Sequence, residues 1–274
     1  MHGLQYAANC SLLFTELPLL QRPAAAYAAG FRAVEFWWPW PSEPVPSDRD
    51  LDAFVTAVAD SGVRLVGLNF FAGDLAGPDC GVLSIPGRAQ DFLDNVEVTI
   101  GIGERLGVGA FNALYGNRVP EVSPEVQDEL GTENLVHAAT AAERIGATVL
   151  VEPVSGPKPY PLRTAADVAA VIERVRSAGP ANVGLLFDLF HLANNGDDLD
   201  AAVARYQHLI AHVQVADHPG RNEPGAGSLD LDRHLSAIEA GGYSGYVALE
   251  YVPSTTTPES LAWLPVERRG FSAS

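Results

Sequence analysis

Eight short runs rich in β-branched and aromatic residues recur along the chain and alternate with longer segments that carry helix signals. Ser123 followed by Pro124 predicts the start of one helix, and Thr164 with Asp167 predicts a capping box at the start of another. The runs cover residues 4–10, 33–38, 64–71, 110–116, 148–154, 183–191, 210–217 and 246–253. Strand followed by helix, eight times over, predicts an α/β fold of the (β/α)₈ TIM-barrel type.

The length and composition predict one barrel rather than several domains. A chain of 274 residues that is 47% hydrophobic can bury one large core, so we expect residues 1–274 to form a single TIM-barrel domain. Three connections are longer than the rest, residues 39–48, 72–88 and 216–227, and each follows a predicted strand. Loops in that position lie on the catalytic face of a barrel, so we expect the active site at the C-terminal ends of the strands.

The charge of the chain limits its partners. The formal net charge is −17, from 34 acidic and 17 basic residues, which repels phosphate backbones and anionic lipid. We therefore expect a small-molecule substrate, no nucleic acid and no membrane. No stretch approaches the roughly 20 apolar residues of a membrane span, and the first residues lack a signal-peptide pattern. These features favour a cytoplasmic protein. They are also compatible with a homo-oligomer, either a dimer or a tetramer.

Several kinds of chemistry are disfavoured by the composition. Cys10 and Cys80 are too few for a disulfide framework or a thiolate zinc site, and we expect both to be reduced packing residues. Lys158, the single lysine, lies in a Pro/Gly loop that is poorly placed for a Schiff base. The segment 101–107 lacks the spacing of a dinucleotide-binding loop. Redox, imine and nucleotide-cofactor chemistry are therefore not indicated.

Oxygen-bearing side chains stand near the ends of four consecutive predicted strands, where inward-facing positions look into the barrel mouth. They are Glu152, Asp188, Gln214 and Glu250. Three carboxylates converging in a partly buried mouth would repel and cost several kcal/mol in desolvation. A divalent cation would remove that conflict. An all-oxygen donor set suits Mg²⁺ or Mn²⁺ better than zinc or copper.

Two histidines accompany these candidate ligands. His191 follows the aspartate by three residues, and His212 precedes the glutamine by two and so shares its face of the strand. Either could be a satisfied core residue, but beside a metal site we expect each to contact substrate or orient a ligand. Arg221 and Glu223, in the loop that follows, are further candidates for substrate contacts. The alternative for that pair is a solvated surface interaction.

The remaining candidates lie on strands two to four. Asn69 ends the third strand and Tyr115 follows the fourth, and both are candidate substrate contacts, with turn formation and packing as their alternatives. Glu35 could reach the site, although pairing with a neighbouring strand is favoured. The tryptophans at 37, 38 and 40 form either a wall of the pocket or a core cluster, and the sequence is equally compatible with both.

Motifs over nearly the whole chain carry a family resemblance. They are AANCSLLFTE, GFRAVEFWWPW, NFFAGD, IPGR, VEPV, FDLFH, HVQVADHPGRNEPGAG and ALEYVPSTTT. On these motifs the chain resembles the hydroxypyruvate isomerase family, within the xylose isomerase-like barrels that also include sugar epimerases and endonuclease IV. The resemblance implies that Glu152, Asp188, Gln214 and Glu250 bind a divalent metal. It also implies that Glu152 and Glu250 are the catalytic acid/base pair.

The expected reaction is the interconversion of hydroxypyruvate and 2-hydroxy-3-oxopropanoate (tartronate semialdehyde) through an enediolate. Such a shift needs a group that removes a proton beside a carbonyl and a cation that stabilises the resulting anion. Arg221 is our candidate for the substrate carboxylate. A 2-oxo-tetronate isomerase and a ketose 3-epimerase remain as alternatives with the same machinery. An endonuclease IV-like repair enzyme is disfavoured by the charge, and a non-catalytic sugar-acid-binding barrel by the two glutamates.

Overall fold

Eight parallel strands close into a barrel, in chain order, in the computed structural model, which describes residues 2–270. Each strand pairs with its sequence neighbours, and β1 also pairs with β8. The strands are β1 Gln5–Asn9, β2 Ala33–Phe36, β3 Arg64–Asn69, β4 Ala110–Asn112, β5 Thr148–Val151, β6 Val183–Asp188, β7 Ile210–Val215 and β8 Tyr246–Leu249. The predicted (β/α)₈ TIM barrel is confirmed, and each predicted strand is present in a shorter form.

Helices connect the strands and cover the outside of the barrel. Those between strands are α1 Arg22–Ala28, α2 Asp48–Ser61, α3 Ala89–Leu106, α4 Pro124–Glu143, α5 Ala165–Ser177, α6 Leu189–Asn194, α7 Leu199–Tyr206 and α8 Leu231–Ala240. A short α9, Thr257–Ser260, follows β8. Ser123 caps α4 by accepting from the backbone of Val126, and Thr164 and Asp167 form the predicted capping box of α5.

The interior of the barrel has an apolar floor. Two clusters of small and medium apolar side chains meet across neighbouring strands, Ala7 with Ala33 and Ala248, and Ala110 with Leu150 and Leu186. Because side chains alternate along a strand, the residues two positions later point the same way and lie nearer the C-terminal end. Those residues are all polar: Asn9, Glu35, Glu250, Asn112, Glu152 and Asp188. The site therefore sits directly on the apolar floor.

The strands end earlier than their sequence patterns suggest. The sixth strand stops at Asp188, whose side chain accepts from the backbone N–H of His191 and so caps α6. His191 consequently lies on the first turn of α6 rather than on a strand. None of the helices in the described part of the chain is long and apolar enough to span a membrane.

Candidate active site

The four predicted ligands lie together at the C-terminal end of the barrel. Asp188 ends β6 and is paired in register with Gln214 on β7, while Glu152 and Glu250 directly follow β5 and β8. All four side chains belong to residues no more than 4% exposed. Carboxylate oxygens of the three acids and a ring nitrogen of His191 lie within 4.8 Å of one another. The structure therefore brings the predicted carboxylates into one buried cluster.

The donor set of this cluster fits a divalent cation. Asp188 Oδ2 and Gln214 Oε1 are buried and have no hydrogen-bond partner among the described residues. Unpaired buried acceptors are costly unless a cation or donor completes them. Burial, and next the charge of Glu250, raises the pKa values of Glu152 and Asp188 well above their usual range. The cluster consequently has both the free oxygen ligands and the excess negative charge that a cation would satisfy.

Glu35 fixes the orientation of the glutamine ligand. Its Oε1 accepts hydrogen bonds from Gln214 Nε2 at 2.7 Å and from Asn9 Nδ2 at 2.8 Å, and its Oε2 lies 2.6 Å from His212 Nε2. Because the amide nitrogen of Gln214 is held by this carboxylate, its Oε1 is the atom left for the cluster. Glu35 thus pairs with Asn9 on the neighbouring strand β1, as favoured from the sequence. It also reaches His212 and Gln214 on β7, which is not a neighbour of β2, and through Gln214 it bears on the site.

The two glutamates of the proposed acid/base pair are held differently. Glu152 Oε2 accepts one hydrogen bond, from Asn112 Nδ2 at 2.7 Å. Glu250 accepts two, from Trp37 Nε1 at 2.7 Å on Oε1 and from Arg221 Nη2 at 2.6 Å on Oε2. The two glutamates of the cluster therefore lie in unequal hydrogen-bond environments.

The tautomer of His191 follows from its hydrogen bonds. The backbone N–H of Ser155 donates to His191 Nδ1 at 3.0 Å, so this nitrogen carries a lone pair and not a proton. Burial, and next the charge of Arg221, lowers the pKa of His191, which keeps the ring neutral. The proton then lies on Nε2, which faces Glu152 Oε1 at 3.8 Å. In this form Nε2 donates a hydrogen bond and does not offer a lone pair to a metal.

Arg221 enters the site from the loop after β7. Its backbone has a φ of 60°, a conformation uncommon for residues other than glycine, and its carbonyl accepts from Val252 N at 2.8 Å. One face of the guanidinium lies 5.6 Å from the ring of Phe190. Its Nη2 is bonded to Glu250, whereas the buried Nε has no partner among the described residues. The Nε–H of Arg221 therefore remains available for an oxygen of a bound molecule.

A small cavity opens beside the cluster. Its volume is about 160 Å³, below the range of roughly 300–1,000 Å³ typical of sites for drug-sized ligands. The walls combine acids, cations and apolar groups: Trp37, Asn69, Leu75, Asp79, Cys80, Leu114, Glu152, Val154, Ser155, Pro157, Lys158, Tyr160, His191, Arg221 and Glu250. The cavity suits a small polar metabolite that touches the cluster at one end.

The candidate substrate contacts are divided by the structure. His191, Arg221 and Asn69 line the cavity. Tyr115 is packed outside it, where its ring meets Gly131 and its hydroxyl donates to Asp128 at 2.9 Å. The packing alternative therefore describes Tyr115. Its position just after a strand was the only signal for a site role, and that signal does not reveal on which side of the barrel wall a loop residue packs.

His212 and Glu223 also lie away from the cavity walls. His212 is buried on β7 against Glu35, which supports an orienting role and not a direct substrate contact. Glu223 accepts from the backbone N–H and the hydroxyl of Ser254, and so ties the loop after β7 to the loop after β8. Glu223 is thus partly exposed and bonds to another loop. This resembles the solvated surface interaction that was the alternative to a substrate contact.

Several cavity residues were absent from the sequence prediction. Asn112, Ser155 and Lys158 position or line the site without having been candidate contacts. Trp37, considered from the sequence as pocket wall or core, lines the cavity and donates to Glu250, while Trp38 and Trp40 meet edge to face at 5.1 Å. Asn112 could have been found, because it is the inward polar residue that ends β4. The others depend on loop conformation, which no strand pattern records.

The barrel and its carboxylate cluster define a class of protein. A family model described as the xylose isomerase-like TIM barrel matches residues 23–266 of the chain. The match covers most of the 274 residues and includes all the predicted ligands. The chain is therefore a xylose isomerase-like TIM barrel.

Named relatives narrow the class further. A Streptomyces coelicolor protein provisionally named as a hydroxypyruvate isomerase is 50% identical, over 97% of each chain. The hydroxypyruvate isomerase of Escherichia coli is 31% identical, over 95% of this chain and 98% of its own. A 2-oxo-tetronate isomerase of Cupriavidus necator is also 31% identical, over 95% and 97%. The chain belongs to the hydroxypyruvate isomerase family of these barrels.

A solved structure supports the same fold. The crystal structure described as an AP endonuclease, family 2, from Brucella melitensis superposes with a TM-score of 0.85 and is 31% identical, covering 95% of this chain and 97% of that one. The similarity therefore extends over nearly the whole chain.

Proposed function

We propose that this isomerase interconverts hydroxypyruvate and 2-hydroxy-3-oxopropanoate by moving a proton between adjacent carbons. The observation that carries the proposal is the pair Glu152 and Glu250, two buried members of an oxygen-rich cluster that borders a small cavity. The names of the relatives that cover this chain from end to end support the same reaction.

The glutamates carry the proton transfers. One carboxylate removes a proton from C3 of hydroxypyruvate, and the electron pair forms the enediolate. Return of a proton to C2, with transfer of the hydroxyl proton from the C3 oxygen to the C2 oxygen, then gives 2-hydroxy-3-oxopropanoate, so no atoms are gained or lost. General acid–base steps of this kind contribute about 10²–10⁴-fold in rate. Asn112 holds Glu152, and Trp37 with Arg221 holds Glu250, so each carboxylate has a fixed position for its transfer.

A divalent cation, Mg²⁺ or Mn²⁺, would be held by Glu152, Asp188, Gln214 and Glu250. When bound it supplies positive charge that stabilises negative charge on neighbouring substrate oxygens. Asp188 and Gln214 have no proton-transfer role in this scheme, because their unpaired oxygens serve as ligands. The preference for these two ions rests on the all-oxygen donor set.

Neutral and cationic donors position the substrate. The Nε2–H of His191 donates to a substrate oxygen beside Glu152, and the free Nε of Arg221 donates to another beside Glu250. Asn69, at the end of β3, supplies an amide from the opposite wall. Water is limited by the small cavity and by its apolar walls, which strengthens each of these interactions.

Two related substrates are alternatives. A four-carbon 2-oxo acid or a ketose would use the same glutamates, and a relative is named for the first. The cavity of about 160 Å³ accommodates the three-carbon acid. A DNA-repair function is disfavoured, since a chain of net charge −17 has poor complementarity to a phosphate backbone. A non-catalytic barrel would have no need of two buried glutamates beside the cavity.

The proposed setting is that of a cytoplasmic metabolic enzyme. Its partner is a small keto acid, and self-association into a homo-oligomer is compatible with the surface charge. Neither nucleic acid nor membrane is part of the proposal.

A substrate panel tests the proposed function. The purified protein is stripped with EDTA, reloaded with Mg²⁺ or Mn²⁺, and assayed with hydroxypyruvate, a 2-oxo-tetronate and a ketose. We expect metal-dependent turnover with the highest kcat/KM on hydroxypyruvate. Turnover confined to the longer acid or the ketose would show that the proposed substrate is wrong, while the proposed metal site and glutamate pair would stand. Equal turnover with and without metal would contradict the role of the cluster.

A further inference from the structure

Lys158 is held at the cavity wall by two neutral groups. Its Nζ donates to the carbonyl oxygens of Leu75 at 3.0 Å and Asp79 at 2.6 Å. Both carbonyls belong to the long loop between β3 and α3, and both residues line the cavity. An ammonium group has three N–H donors, so one is left after these two bonds. The loop therefore fixes the position of Lys158 without neutralising its charge.

The other cation of the cavity is differently engaged. Arg221 donates to Glu250 at 2.6 Å and lies among the carboxylates of the cluster, so its charge is offset there. The charges of Lys158 and Arg221 both lower the pKa of the Cys80 thiol, although burial and the charge of Glu152 raise it to about 12. Cys80 is thus close to both cations, which places them around one small space. Lys158 is the cation of that space with only neutral hydrogen-bond partners.

We propose that Lys158 binds the carboxylate of the substrate and makes the enzyme selective for 2-oxo acids over neutral ketoses. The inference rests on the proposed function and identifies the group that selects its substrate class. Arg221, expected from the sequence to bind this carboxylate, instead serves Glu250 and a second substrate oxygen. An anion at Lys158 replaces water around an incompletely paired ammonium, whereas a neutral hydroxymethyl group there leaves the charge unpaired.

Lys158 also supports the loop, and a test must separate the two roles. Arg88 supplies a matched control, because it contacts the carboxylate of Asp79 at 3.5 Å and that of Asp91 at 2.7 Å from outside the cavity walls. Removing Arg88 loosens the same loop and leaves Lys158 in the cavity wall, while the carboxylate of Asp79 loses one partner. A loop role predicts similar effects of K158M and R88M, while a recognition role predicts different ones.

The first experiment compares two three-carbon substrates that differ only in the carboxylate. Hydroxypyruvate and dihydroxyacetone are assayed with the Mg²⁺-loaded wild type, K158M, K158R and R88M. We expect K158M to lower kcat/KM for hydroxypyruvate by at least about tenfold, mainly through KM, and to leave that for dihydroxyacetone within about twofold. K158R should recover part of the loss. Equal losses on both substrates, or no loss on hydroxypyruvate, would overturn the proposal.

The second experiment does not depend on turnover. Since Lys158 is the single lysine, the amine adducts of trinitrobenzenesulfonate form only on it and on the α-amino group, which serves as an internal reference. Peptide mapping separates these amine adducts from any thiol adducts on Cys10 or Cys80. We expect glycerate to slow labelling of Lys158 several-fold in the Mg²⁺-loaded protein, and glycerol to have no effect. Equal labelling with both compounds would contradict anion binding at Lys158. Protection by glycerate without turnover of hydroxypyruvate would contradict the proposed function and still support anion binding at Lys158.

Discussion

The carboxylate of Glu35 lies beside Gln214 and accepts hydrogen bonds from three side chains, those of Asn9, His212 and Gln214. An amide side chain can present either its oxygen or its nitrogen, and only the oxygen can bind a cation. Glu35 accepts from the nitrogen and so leaves the oxygen facing the cluster. A single buried residue beside the ligands thus determines whether Gln214 can act as one of them.

We predict that Glu35→Gln weakens metal binding. The new amide can donate as well as accept, so it no longer selects one orientation of Gln214. The loss of an outer hydrogen-bond partner of a ligand typically costs 10–100-fold in metal affinity, and we expect a change of that order. Isothermal titration with Mn²⁺ measures it directly. Glu97→Gln, which removes a surface glutamate paired with Arg144, is the matched control and should leave the affinity unchanged.

At the residue scale, the sequence predicted which candidate ligands lie together better than it predicted which residues line the cavity. The four candidate ligands stand at the ends of consecutive strands, so strand order and alternation suffice to place them together. His191, Arg221 and Lys158 lie on a helix turn or on loops, where a side chain's direction depends on contacts distant in sequence. From the sequence, Lys158 was judged poorly placed to form a Schiff base and was given no other role. In the structure, its loop places it in the cavity wall.

At the scale of elements, the glycines of α3 show how a helix is fitted to the barrel. Gly101 and Gly103 lie two residues apart on this helix. A Cβ at Gly103 would overlap the ring of Phe111 on β4 and approach Ile145 at 3.0 Å, whereas one at Gly101 would meet nothing within 4 Å. Gly103 therefore permits close contact between α3 and the strand that carries Asn112.

We predict opposite effects of alanine at these two positions. Gly101→Ala should raise the free energy of unfolding by about 0.5–1 kcal/mol, because alanine favours the helix. Gly103→Ala should lower it by about 1–3 kcal/mol, because overpacking outweighs that gain. Urea denaturation of both variants checks the pair. A stabilised Gly103→Ala protein would show that α3 is not packed against β4 as described.

The helices with their N-terminal caps and the order of the strands were predictable for physical reasons, whereas the C-terminal ends of the strands were not. Helix caps depend on local side-chain hydrogen bonds, so Ser123 and the Thr164–Asp167 box were read directly from the sequence. The sixth strand was predicted to extend to residue 191, but Asp188 caps a helix there, since a capping aspartate within an apolar run resembles continued strand.

At the scale of the molecule, the cluster is a source of pH-dependent stability. Burial, followed by neighbouring carboxylates, raises the pKa values of Glu152 and Asp188. The folded chain then holds these protons more tightly than the unfolded chain does. Their contribution to stability is therefore present at low pH, below the unfolded pKa values, and is lost as the pH rises through the folded pKa values. A bound cation would offset that loss.

We predict that Mg²⁺ or Mn²⁺ raises the Tm of the EDTA-treated protein, and raises it more at pH 8 than at pH 5. At 100 times Kd, a ligand of the folded state contributes about 2.7 kcal/mol, or roughly 5 °C or more for a chain of this size. Differential scanning calorimetry at matched ionic strength measures the shift. An increment that is equal at both pH values would contradict a site made of carboxylates with raised pKa values.

The central claim is that Glu152 and Glu250 transfer a proton between C3 and C2 of hydroxypyruvate. Proton NMR in D₂O with the Mg²⁺-loaded enzyme follows these positions directly. We expect deuterium at C2 of the product and at C3 of the remaining hydroxypyruvate, with both exchanges reduced at least about 100-fold in Glu152→Gln and Glu250→Gln proteins of unchanged fold. Two results would contradict the claim. The first is exchange that is undiminished in both variants. The second is isomerisation by the wild type without exchange at either carbon, together with variants that remain active.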